Sequence, residues 1–171
     1  MRAASAILIV ALATGFASAG EKVTDATVCQ IASHPLDYAG KLVRVRGRIL
    51  IAFEQFELSS SECKLSIPEM IWLEYGRGPK RQPTIWCCGD LASRDPIAVV
   101  QDANFKKFDR YLTAKTKYEV TATLTGRLDT AASADGLGRC GGFGHLGIAC
   151  SRLVIQSVAD VVAKDVRDPS R

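Results

Sequence analysis

Three arginines stand at alternate positions, Arg44, Arg46 and Arg48. Alternate residues of a strand share one face, so their guanidiniums would form a stripe able to hold phosphate or carboxylate through charge-assisted hydrogen bonds. Lys41 and Arg127 are candidates to extend it. Single-strand binders pair a basic groove with aromatic platforms, and Trp72 and Tyr75, with Phe53 and Phe56, are the candidate rings. The commoner arrangement is a solvated strand face balanced by Glu54, Glu57, Glu74 or Glu119 on neighbouring strands.

His145 lies in the most distinctive segment, Gly141-Gly142-Phe143-Gly144-His145-Leu146-Gly147. This segment lacks the Lys-Ser/Thr ending of a phosphate loop and opens no helix. Its glycines suit positive φ and close approach of the loop to a barrel. His145 is a candidate ligand contact or pH-sensitive group, although a histidine so placed is more often held structurally by a hydrogen bond. His34, just before Pro35, reads as part of a turn.

A catalytic constellation is not expected. A two-carboxylate hydrolase needs an acid and a base facing one cleft, whereas Glu54 and Glu57 point to opposite sides of a regular strand. No serine stands in a nucleophile elbow, and the two histidines fall in unrelated loops. The six cysteines are Cys29, Cys63, Cys87, Cys88, Cys140 and Cys150. Cys87-Cys88 lacks the gap of a zinc motif, so no metal and no cofactor are expected. A free thiol at Cys87 or Cys88 would be a redox candidate, but an even count in an exported chain reads as a disulfide framework. Six cysteines allow 15 connectivities, and a bond between the adjacent Cys87 and Cys88 would be strained. The favoured pairs are Cys29–Cys63 and Cys140–Cys150.

Export is expected from the N-terminus. Arg2 supplies a positive charge, Ala4 to Ala13 an apolar run, and Ala17-Ser18-Ala19 the small residues of a cleavage site. Residues 1–19 therefore read as a signal peptide and 20–171 as a single domain, periplasmic or secreted. The apolar run is short of the about 20 residues that span a bilayer, and stable membrane insertion is not expected. The whole chain carries a formal charge of +4. That is mildly basic and does not itself imply nucleic acid, and export disfavours a chromosomal role.

The elements that must position these residues follow from periodicity. Thr24 to Ser33 reads as a short helix capped by Thr24 or Asp25. Lys41 to Ala52 is the clearest strand, with Val43, Val45, Ile49 and Ile51 alternating with the arginines, and with Gly47 placed where a bulge or sharp coiling is allowed. Further strands are expected over 53–58, 70–75, 118–128 and 152–163, a brief one over 85–88, and a helix over 104–114. The tail from Lys164 reads as polar and frayed. Three strands, a connection bearing a helix, then two strands is the order of an OB-fold, a five-stranded Greek-key barrel. The expected class is thus mainly β with short helices, barrel-like and disulfide-stapled.

Val28-Cys29, Pro35, Tyr38-Ala39-Gly40-Lys41, Val43-Arg44-Val45-Arg46-Gly47 and Ile71-Trp72-Leu73, with the segment Gly142 to Gly147 followed by Leu153-Val154-Ile155, resemble exported OB-fold-like bacterial proteins of no established function. The resemblance covers most of the chain after residue 19. It implies the fold and supplies no activity. The expected function is a non-enzymatic module that recognises an envelope or extracellular protein, a glycan or an anionic ligand through its barrel face and loops. Arg44, Arg46, Arg48, Trp72, Tyr75 and His145 are the candidate contacts. The alternatives are an envelope enzyme using His145 with a carboxylate, and an exported enzyme inhibitor presenting the loop 76–84.

Overall fold

The computed structural model describes residues 21–66, 69–79, 97–131 and 142–166. The expected signal peptide, the brief strand over 85–88 and the cysteines Cys87, Cys88 and Cys140 lie outside them.

The first helix is shorter than its pattern predicts, because a strand takes its first half. Thr27 and Gln30 form a reciprocal capping box. The Thr27 hydroxyl accepts from the Gln30 N–H at 3.1 Å, and the Gln30 side-chain oxygen accepts from the Thr27 N–H at 2.8 Å. This fixes the helix start at Val28, not after Thr24 or Asp25. Helix α1 is Val28–Ser33, with Val28 and Ile31 buried, and Pro35 follows its end. The residues ahead of the cap, Thr24–Thr27, form strand β1, which pairs in parallel with the next strand.

That strand, β2 (Leu42–Ala52), behaves as its alternation requires. Val43, Val45 and Ile49 are buried, and the three arginines between and beside them are exposed. Gly47 answers a need for space and not for a bulge. A Cβ there would stand 2.6 Å from Leu58 Cδ1 and 2.9 Å from the Ser59 carbonyl oxygen, and the antiparallel pairing of Gly47 with Ala122 continues the register on either side of it. The remaining elements are β3 (Gln55–Ser59), β4 (Ile71–Tyr75), α2 (Ala103–Leu112), β5 (Tyr118–Thr130) and β6 (Ser151–Asp165). β6 continues past the expected strand end at Ala163, so Lys164 and Asp165 belong to the sheet and pair with β5.

The strands form one mixed six-stranded sheet in the order β1-β2-β3-β4-β6-β5, and β5 also pairs with β2. Pairings β1–β2 and β4–β6 are parallel, the others antiparallel. The register shifts lie between β5 and β6, at Thr121/Thr123 and Thr125/Gly126.

The core is built from the inward residues of these strands and from α2. Asp102 caps α2, its carboxylate accepting from the Phe105 N–H at 2.9 Å. Phe105, Phe108 and Leu112 are buried along one face. Tyr75 stands between Phe56 and Phe105 in edge-on contacts, with ring centroids 5.6 and 5.1 Å away. Its hydroxyl donates to Asp109 at 3.2 Å. Burial, with the Asp109 charge and hydrogen bond, pushes the phenol far above its usual range, so it remains a donor.

Cys29 and Cys63 are joined, Cα to Cα 5.9 Å, and tie α1 to the connection after β3. Cys150 is also disulfide-bonded. No helix among the described residues is long and apolar enough to cross a membrane. The Cys29–Cys63 bond closes a loop of sequence separation 34, for which the chain-entropy model gives about 3–4 kcal/mol. Replacing both cysteines by serine should lower the unfolding free energy by about 2–4 kcal/mol in denaturant melts. An unchanged midpoint and slope would contradict this.

Candidate functional site

The residues 142–150 return to the sheet as a closed loop and cover the outer face of β4. Phe143 and Ala149 exchange backbone hydrogen bonds at 3.1 and 3.0 Å, which draws the loop shut. Gly144 follows at φ 74°, and a Cβ on it would stand 2.5 Å from the indole of Trp72. Only glycine meets both demands, the left-handed backbone and the contact with the ring. Trp72 is consequently just 5 % exposed.

A row of side chains runs across the sheet beneath this loop. Register places Glu57 beside Trp72, Trp72 beside Arg152, and Arg152 beside Asp129. Arg152 donates to Glu74 at 2.8 Å and grips Asp129 through Nε at 3.2 Å and through Nη2. Arg127 holds the same carboxylate with bonds of 2.7 and 3.1 Å. The Phe143 ring lies over the Arg152 guanidinium at 4.9 Å. Burial alone would raise the Asp129 carboxyl, but the hydrogen bonds and charges of Arg127 and Arg152 outweigh it and hold the group below its ordinary value. Among the described residues Glu57 has no such arginine partner. Burial pushes its carboxyl up, offset in part by a bond from Gln55.

At the end of the loop His145 Nδ1 meets Glu54 Oε2 at 3.0 Å. Glu54 sits in the two-residue turn between β2 and β3 at φ 55°, and Leu146 also has φ 55°. The residues beside this bond point outward. Phe53 is 73 % exposed and Leu146 is 76 % exposed. The result is a rim of two turns, joined by the Glu54–His145 contact and carrying two large apolar side chains.

The other candidate residues lie elsewhere. Arg44 pairs with Asp25 at 3.3 Å, and Arg48 stands 3.7 Å from Glu119. Arg46 donates to the Thr123 hydroxyl at 3.3 Å and to the Asp160 carbonyl at 3.2 Å. The three arginines share an exposed face, as their spacing predicts, and each has a partner on a neighbouring strand. Tyr75 is fully buried in the core and Trp72 is buried under Gly144, so neither ring offers the arginines a platform. An open groove of about 510 Å³ runs between α1 and the connection after β3, and one of about 220 Å³ lies beside the end of α2. Neither is lined by His145. Among the described residues no group of three or more His, Cys, Asp or Glu side chains could hold a metal ion.

Sequence reasoning named Glu54 only as a balancing or unpaired carboxylate and missed its contact with His145; it missed Asp129 and Arg152 altogether. The Arg127–Asp129 spacing was a usable signal, since residues two apart on a strand share a face. Nothing in Phe53-Glu54 announces a positive φ, because the glycine or asparagine usual in such turns is absent. No protein-family model matches the chain, and no curated protein or solved structure matches it.

Two substitutions test this geometry. Gly144→Val should destabilise the protein by about 1–3 kcal/mol through backbone strain and the clash with Trp72, while His145→Ala should cost about 1 kcal/mol, one hydrogen bond; thermal melts that rank the two the other way would refute the packing. Asp129→Asn should cost about 1–2 kcal/mol at neutral pH. The Asp129 carboxyl is held below the ordinary aspartate value of 3.8, so this contribution is complete above that value and is lost as pH falls through the lower folded value. The gap between variant and wild type should therefore close in strong acid. A gap that persists there would contradict the assignment.

Proposed function

We propose that this chain is an exported, non-enzymatic binding module built on an OB-fold barrel, and that it takes hold of a partner protein through the rim at Phe53 and Leu146. The circuit β2-β3-β4-β6-β5, with β5 returning to β2 and a helix between β4 and β5, supports the barrel reading. A five-stranded Greek-key barrel of this kind binds ligands through the loop after its first strand and the loop before its last. Those loops here are the turn at Phe53-Glu54 and the segment ending at Cys150. β1 is then an addition on the free edge of β2.

The observation that carries the proposal is the bond between Glu54 and His145, which joins the two loops and holds Phe53 and Leu146 beside it in solvent. Large apolar side chains held outward on fixed turns suit an apolar pocket on a protein better than a polyanion. The Cys29–Cys63 disulfide and the expected signal peptide support an oxidising, extracytoplasmic setting.

The enzyme reading retains one specific support, since His145 has a carboxylate within hydrogen-bond reach, as a general base would require. Its test is loss of an activity by about 100-fold in His145→Ala with little change in stability. The inhibitor reading rests on the loop 76–84, of which 80–84 lie outside the described residues.

The binding proposal is tested by capture from envelope extract with wild type and with a Phe53→Ser/Leu146→Ser double variant of equal melting temperature. Wild type should retain a protein that the variant loses. Equal retention by both would overturn the rim as the site.

A further inference from the structure

We propose that the groove between α1 and the turn 60–62 is a second binding site, for a sugar unit that carries one carboxylate among several hydroxyls. The site is separate from the rim and does not depend on it. Its volume of about 510 Å³ falls within the range of small-ligand pockets.

The groove is built to a fixed width. One wall holds Thr27 and Val28, the other Ser60, Ser61 and Glu62. Cys29 and Cys63, the next residues in each wall, are joined by the disulfide. A covalent tie between the two walls removes ordering cost that binding would otherwise bear.

The floor supplies two guanidiniums in different states. Arg46 is anchored, its Nη1 donating to the Thr123 hydroxyl and to the Asp160 carbonyl outside the groove. Asp160 sits at φ 49°, in the shifted register between β5 and β6, and its carboxylate accepts from Thr123 at 3.0 Å. A non-glycine residue in this region is strained, and such strain collects where a side chain must be held in place for binding. Arg48 is less committed. Its Nε is 3.7 Å from Glu119, too long for a hydrogen bond, and its Nη atoms have no hydrogen-bond partner among the described residues. That edge of the fork is free for two parallel bonds to a carboxylate.

The remaining chemistry narrows the ligand. Thr27, Ser59, Ser60, Ser61 and Thr121 line the groove; the Ser59 hydroxyl already donates to the Arg48 carbonyl, and those of Thr27 and Ser60 already accept from backbone N–H groups, so Ser59 is left to accept from a ligand and Thr27 and Ser60 to donate to it. Glu62 and Glu119 balance the two arginines, so a ligand with several negative charges would meet repulsion as well as attraction. Among the described residues no aromatic ring lines the groove, so they offer no stacking platform of the kind a single-strand binder uses. A singly charged, hydroxyl-rich sugar fits all three conditions.

Titration calorimetry on the purified protein tests this, with a disaccharide containing one glucuronic acid, the same disaccharide with its carboxylate reduced to an alcohol, and inorganic pyrophosphate. The acidic sugar should bind, with the reduced sugar and pyrophosphate at least tenfold weaker. Arg48→Ala should lose at least tenfold in affinity. Arg48→Lys should recover only part of it, because an ammonium lacks the planar fork, and it carries the test if the alanine variant fails to fold. The Phe53→Ser/Leu146→Ser variant should bind the sugar as wild type does, which separates this site from the rim. No binding of the acidic sugar, equal binding of the reduced sugar or of pyrophosphate, or an unchanged affinity in both Arg48 variants would overturn the proposal.

Discussion

The backbone at Gly144 lies directly against the indole of Trp72, and the arrangement of the rim depends on that contact. A side chain at residue 144 would have to occupy the space of the ring. With glycine there, the loop settles onto β4 and buries the tryptophan. Phe143 then reaches the Arg152 guanidinium, and His145 reaches Glu54 on the neighbouring turn. Leu146 is left facing solvent. One small residue thus determines which groups the loop covers and which it presents.

Beneath the loop, charge is neutralised locally. Arg127 and Arg152 share Asp129, and Arg152 also holds Glu74. Buried ions are costly unless paired, and here two cations face two carboxylates. Strain is distributed in a related way. Three non-glycine residues have positive φ among the described residues, Glu54, Leu146 and Asp160. Two stand at the rim, and the third supports Arg46 in the groove. Such conformations cost on the order of 1–3 kcal/mol each, and they occur at the two places to which binding is assigned.

Much of the fold was legible because its signals are periodic. Alternation in β2 and β5 located both strands and placed the arginines on the exposed face. Helical spacing located α2, whose Phe105, Phe108 and Leu112 enter the core. β1 was hidden because Thr24–Thr27 is too short to show a period, and the capping role of Thr27 outweighed that of Thr24 or Asp25. Trp72 and Tyr75 were read as surface platforms because their types suit stacking. Their burial comes from tertiary contacts, with Gly144 in one case and with Phe56 and Phe105 in the other, which no local pattern encodes. The pairing of Glu54 with His145 joins residues far apart in the chain, and only the closure of the sheet brings them together. The glycine-rich segment was legible as a loop needing positive φ, and Gly144 has it.

On the proposal made above, the turn at Phe53-Glu54 and residues 143–148 form one docking surface. Hydrogen–deuterium exchange of the protein, free and bound to the partner it captures, tests this most directly. Binding should slow exchange in the turn at Phe53-Glu54 and in residues 143–148 together, with β1 and the outer face of β2 unchanged. Protection of the β2 face with the two turns unaffected would contradict it.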